Sequence, residues 1–141
     1  MARGQLRVVV DALEGFVDQV IRALVLDLVA NLRRAPSEGG TPVDTGWARA
    51  NWVPQIGSAF QGTAGTREAA EAGSIDQATA AAGLTNIATK YKVKSGQAHV
   101  TNNVPYIVDL NDGSSRQAPS GFVQQAIIKS ITVDLPLKVP R

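Results

Sequence analysis

The sequence predicts an α+β fold, with a long N-terminal helix and shorter helices packed on a small, mainly antiparallel sheet. Three observations carry this. Apolar residues recur at three- and four-residue steps from Leu6 to Leu32, the period of one helix face. Two short stretches, one after Trp52 and one over 97–102, have strand character. Two weaker helical patterns lie at about 74–91 and 121–131. At 141 residues the chain has the length of one ordinary domain, so residues 1–141 read as a single unit.

The first helix is the strongest element. Leu6, Val9, Val10, Leu13, Phe16, Val17, Val20, Ile21, Leu24, Leu28 and Leu32 form its stripe. Arg33 and Arg34 follow at the negative pole of the helix dipole, and Pro36 stops it. About 30 residues at 1.5 Å each span roughly 45 Å. That is more than a core of this size covers, so part of the stripe is expected to face a neighbouring subunit. Residues 35–40 are a loop by composition. Asp44 reads as the N-cap of a short helical turn from Thr45 to about Ala50. Trp52, Val53 and Ile56 then suggest a strand, which Pro54 places at an edge or a bulge.

Residues 57–74 are rich in Gly, Ala, Ser and Thr and read as a flexible loop. Ser74 or Asp76 caps the next helix, which runs to about Tyr91; Gly83 weakens it. The alternation of Lys92-Val93-Lys94, the Ser95-Gly96 turn and the strand 97–102 predict a hairpin between 91–94 and 97–102. Pro105 opens a short helix with Tyr106, Ile107 and Leu110. Asn111-Asp112-Gly113 is a turn. Gly121 to Ile131 is a helix expected to turn Phe122, Ala126, Ile127 and Ile131 inward. The segment 132–141 alternates Val133, Leu135, Leu137 and Val139 and is read as a strand or an extended arm.

Composition narrows the function. With no cysteine, a disulfide framework, a thiolate zinc site and a cysteine nucleophile are excluded. One histidine, His99, excludes a histidine-pair metal site. Aromatic residues are 5% of the chain, too few for base-stacking platforms. Fourteen Lys+Arg against twelve Asp+Glu give +2, and no segment has the basic clustering of a nucleic-acid binder. The stripe from Val17 to Leu32 is interrupted by Asp18, Arg22, Asp27 and Asn31, so it is not a membrane span. Acidic residues near the start argue against a secretion signal.

The candidate chemistry is sparse. Gly62-Thr63-Ala64-Gly65-Thr66 lacks the lysine of a phosphate loop. His99 on a strand reads as a packed residue before it reads as a hydrolase base working with a nearby aspartate. Asp109 and Asp112 suit a capped turn better than a cation loop. Arg49 and Arg116 suit an ion pair across subunits, an ion pair within the fold, or simple solvation. Trp47 and Trp52 read as core, with an interface anchor as the sharper alternative. No catalytic residue, metal or cofactor is expected.

Two longer blocks add to this reading. The first is Thr41-Pro42-Val43-Asp44-Thr45-Gly46, followed by Trp47, Arg49 and Trp52. The second runs from Val100-Thr101-Asn102-Asn103-Val104-Pro105-Tyr106-Ile107 through Leu110-Asn111-Asp112-Gly113-Ser114-Ser115-Arg116-Gln117-Ala118-Pro119-Ser120-Gly121-Phe122-Val123. In this order they resemble the tail-completion (neck) proteins of tailed bacteriophages, the minor tail protein Z type and its tail-component relatives. The resemblance implies a virion structural protein that completes the tail, assembled in the host cytoplasm. It forms a ring, of six subunits, at the head–tail connection. Its implied neighbours are head-completion or connector proteins and tail-tube or tail-terminator proteins, with passive contact to DNA in the lumen and none to a membrane. The alternative is a tail terminator, or an assembly factor or chaperone not retained in the virion. On the same basis the fold and interface residues are Asp44, Thr45, Gly46, Trp47, Arg49, Trp52, Asn103, Pro105, Tyr106, Asp112, Gly113, Arg116, Pro119 and Phe122.

Overall fold

The structure, a computed structural model, describes residues 3–132. Its fold is α+β. Helix α1, Arg3–Leu32, is the 30-residue element that the apolar stripe predicts. It buries side chains only towards its C-terminal end, at Val25, Val29, Asn31 and Leu32. Residues 3–13 are all exposed. After the helix comes a 3₁₀ turn, Pro36–Glu38. Thr41 then closes the helix end: its N–H and its hydroxyl both donate to the Leu32 carbonyl, at 2.9 and 2.7 Å. Such a carbonyl has no partner inside its own helix.

A short helix, α2 (Trp47–Ala50), leads into strand β1, Val53–Ile56. Helices α3 (Arg67–Glu71) and α4 (Ala78–Lys90) follow, then strand β2, Ala98–Thr101. Helices α5 (Ile107–Asn111) and α6 (Phe122–Thr132) complete the described chain. Among the described residues the sheet has two antiparallel strands, with Val53 opposite Thr101 and Ile56 opposite Ala98. Pro54 fits because, among the described residues, β1 has a neighbour on one side only, so its missing N–H breaks no second ladder there.

The strand partner differs from the expected one. Residues 91–94 do not pair with 97–102; Val93–Ser95 form a 3₁₀ turn, and β2 pairs with β1. The backbone groups a hairpin would use are already bonded to α1. Arg22 Nε donates to the Tyr91 carbonyl at 2.8 Å, and the Val93 N–H donates to Asp18 Oδ1 at 2.6 Å. Tyr91 is buried below them, so the segment lies on the helix rather than beside a strand.

Among the described residues, three apolar clusters form the interior. The largest joins Val29 and Leu32 of α1 to Trp52, Ala118, Phe122 and Ala126. A second holds Trp47, Ala48, Ala70 and Val104. The third holds Val25, Ile87 and Tyr91. Each large aliphatic or aromatic side chain removed from water in this way contributes about 1.5–3 kcal/mol.

Helix α6 also corrects an expectation. Phe122 and Ala126 are buried, but Ile127 and Ile131 are 44% and 64% exposed. The inward line is Phe122, Ala126 and Ser130. Ser130 accepts a bond from the buried Asn31 amide at 3.0 Å. The small Ala126 lets the helix lie close to α1, and this rotates both isoleucines outward. The expected C-terminal arm, beyond Thr132, falls outside the described residues.

The segment 57–74, read as loop, contains α3. Its first turn is capped by Thr66, whose hydroxyl accepts from the Ala69 N–H at 3.1 Å. At α4 the expected Asp76 cap is present: Oδ1 accepts from the N–H groups of Ala78 and Thr79, at 2.9 and 3.1 Å. Oδ2 also accepts from the Thr79 hydroxyl at 2.9 Å. The Thr79 bonds above all, with that of Ala78, hold the Asp76 carboxyl below its ordinary value of 3.8. A lowered folded pKa stabilises the fold above the ordinary value, and that contribution is lost as pH falls through the folded one. Asp76→Ala should therefore melt lower than the parent at neutral pH. The gap should close on acidification below pH 3.8, as thermal unfolding followed by circular dichroism at several pH values would show.

Candidate functional site

The two sequence blocks meet in space, and carboxamide side chains join them. Gln117 clamps the backbone of Val43: its Oε1 accepts from the Val43 N–H at 2.8 Å, and its Nε2 donates to the Val43 carbonyl at 2.7 Å. The amide thus takes the place of a paired strand. Asn102 Nδ2 donates to the Ala48 carbonyl at 2.8 Å, and Asn102 Oδ1 accepts from Val104 N–H at 3.1 Å. Asn103 Nδ2 donates to the carbonyls of Phe60 and Gly62, at 2.8 and 2.9 Å. The glycine-rich segment is thereby tied to the end of β2.

Asn51 supplies a second tie to that segment from inside. It is buried, donates to the Trp47 and Ala64 carbonyls at 2.9 and 3.1 Å, and accepts from the Ala64 N–H at 2.6 Å. Trp47 adds its indole N–H to the same Ala64 carbonyl at 3.3 Å. Trp52 donates its indole N–H to Thr41 Oγ1 at 2.8 Å. Both tryptophans are 6% exposed, so both are core residues of this chain, each with its one polar atom satisfied.

Trp47 stacks obliquely on Tyr106, with ring centroids 6.1 Å apart and planes at 58°. Burial raises the Tyr106 phenol above its ordinary value of 10.0; Arg67 and a hydrogen bond with Thr45 oppose this, and Asp44 reinforces it. Asp44, Thr45, Gly46 and Tyr106 line one depression with Val43 and Gln117, and Trp47 lies against Tyr106 beside it.

Asp44 has a different role from the expected one. It caps no helix: Gly46, with φ +88°, occupies the cap position of α2, and no side chain caps that helix. Asp44 stands two residues too early, and the Trp47 N–H reaches Thr45 Oγ1 instead, at 3.3 Å. A left-handed residue there is cheap only for glycine.

The other site residues are dispersed. Trp52 and Phe122 lie in the main core. Asp112 and Gly113 end α5, and Asn111 binds the start of α6 through the Val123 N–H at 2.9 Å. Pro105, Arg116 and Pro119 are exposed. Arg49 is half-buried and near Arg33. Burial first, and the Arg49 charge second, pull Arg33 below the ordinary arginine value, while Arg33 donates to the Gln77 side chain.

His99 lies in β2 opposite Gln55, and its buried Nε2 makes no hydrogen bond. No acidic group is therefore held on that atom. Among the described residues no three metal-ligating side chains cluster, and no helix is long and apolar enough to cross a membrane.

Sequence reasoning marked both blocks but missed Asn51, Asn102, Gln117 and Thr41 as the joining groups. Asn102 and Gln117 stand in the quoted blocks, yet an amide carries no periodic signal that would single it out. Compared with protein-family models, with curated proteins and with solved structures, the chain matches none.

Proposed function

We propose that this chain is a structural subunit of a tailed-bacteriophage virion, completing the tail as a ring at the head–tail connection. The observation that carries the reading is the union of the two blocks that resemble tail-completion proteins. They lie 74 positions apart at Val43 and Gln117, yet fold into one unit through three elements: the Gln117 clamp, the Asn102 bond to Ala48, and the Trp47–Tyr106 contact. Motifs that build one piece of structure are better explained by a shared ancestral fold than motifs that merely follow one another.

A ring also needs apolar surface for its neighbours. Ile127, Ile128 and Ile131 stand exposed on α6. One such patch, meeting a different patch on the next copy, serves every subunit of a closed ring.

The test is a phage whose gene for this chain is deleted. Separate heads and tails are expected in electron micrographs, with the chain found by mass spectrometry in purified parental virions. Joined, infectious deletion particles would overturn the proposal. Separated particles together with parental virions that lack the chain would replace it with an assembly factor.

A further inference from the structure

Among the described residues, nothing covers the apolar line along the N-terminal half of α1. Leu6 and Leu13 are each 55% exposed, and Val10 and Val17 each 39%. Covering apolar side chains of this size is favourable, so this face suits a partner. The spacing says what kind. Leu6, Val10, Leu13 and Val17 are separated by four, three and four residues, which is the seam of a coiled coil. Leucine falls at Leu6 and Leu13 and β-branched valine at Val10 and Val17, so leucine and valine alternate along the seam.

The flanks decide the direction. On one side of the seam stand Arg7 and Glu14; on the other stand Val9 and Phe16. In a parallel pair, the charged flank of one helix meets the apolar flank of the other. In an antiparallel pair, each flank meets its own kind. Arg7 then faces Glu14 of the second copy, and Glu14 faces Arg7, while Val9 meets Phe16. The same register sets Leu6 against Val17 and Val10 against Leu13. All these pairs are satisfied by one two-fold axis between positions 11 and 12.

The body of the molecule leaves room. The segment around Val93 and Lys94 lies on the charged side of α1, held by Asp18 and by Glu14 at 3.0 Å. Arg3 of the second copy would lie level with Val20, short of Leu28, where the cluster containing α6 begins. Arg7 and Glu14 have in-chain partners in Asp11 and Lys94, so pairing across the axis extends an ionic row.

We infer that α1 is a self-association surface: two copies of this chain pair antiparallel through Leu6, Val10, Leu13 and Val17, with Arg7 and Glu14 exchanging charge across the seam. This isologous two-fold contact is distinct from the heterologous contact that closes a ring, and it does not depend on the chain being a virion part.

The absence of native cysteine makes the test direct. Leu6→Cys and Val17→Cys are purified separately as full chains, then mixed and oxidised at high micromolar concentration. A disulfide-linked species of twice the 14.8 kDa chain mass, formed between the two variants and not by Leu6→Cys alone, is expected. Adding Leu13→Glu to both should abolish it; this position is exposed, so circular dichroism should show the fold intact.

Arg7→Glu or Glu14→Arg alone should lower the yield about fivefold through like-charge contacts at both ends, and the double reversal should restore it. Linkage of Leu6→Cys to itself would overturn the antiparallel pairing. No linkage at all would assign the face to a different chain. Neither result bears on virion content, which the deletion experiment reads separately.

Discussion

Gly83→Ala is expected to destabilise the protein by about 2–3 kcal/mol, the upper part of the roughly 1–3 kcal/mol that overpacking a core costs. The sign is the informative part. Glycine inside a helix usually costs about 1 kcal/mol relative to alanine, so this exchange normally stabilises. Here a Cβ at position 83 would stand 2.3 Å from the Pro54 carbonyl oxygen and 3.0 Å from Pro54 Cδ. The oxygen belongs to the backbone of β1 and Pro54 is fully buried, so neither can swing aside. Helix α4 would have to lift from the sheet, loosening Ile87 and Tyr91 in the cluster beneath. Urea denaturation would measure the loss. An alanine variant as stable as the parent would show that α4 does not approach β1 so closely.

Asn51→Ala is expected to cost about 3 kcal/mol by the same measurement. The truncation removes three bonds at once and leaves the Ala64 N–H, deep in the fold, with no acceptor. A buried polar group left unsatisfied costs about 1–3 kcal/mol, and the cavity left by the amide adds to it. Asn103→Ala is the natural control. It also deletes two bonds to the glycine-rich segment, but Asn103 is exposed, so water replaces them. The asparagine at position 51 should matter much more than the one at 103. Equal effects would mean that the bonds, and not their burial, set the cost.

The parts of the fold legible in the sequence were those with a period. Helix α1 was readable because its apolar spacing runs unbroken over many turns, and Asp76 because a cap is a local device. Pairing was less readable. The alternation at Lys92-Val93-Lys94 suggested a strand, but the decisive partners, Asp18 and Arg22, lie some seventy positions away. Gly83 looked like a weakness because propensity considers only the helix; its value lies in Pro54, on another element. On α6, periodicity showed that one face was apolar, while the small Ala126 and the Asn31–Ser130 bond selected which part turned inward. In the candidate site, the two blocks were visible as motifs, and the residues that join them were not. Amides such as Asn51 and Gln117 look the same in a loop as in a core.

The packing of α6 on α1 bears on how the protein is made. Asn31 and Ser130 are 99 positions apart, and the ribosome adds roughly 5–20 residues per second. For about five to twenty seconds, then, each nascent chain carries a finished first helix whose inner face, at Val29 and Leu32, has no lid. On a polysome, such helices from successive ribosomes emerge near one another, each amphipathic and still unfilled. The inner face of α1 is therefore open for that whole interval, until α6 arrives.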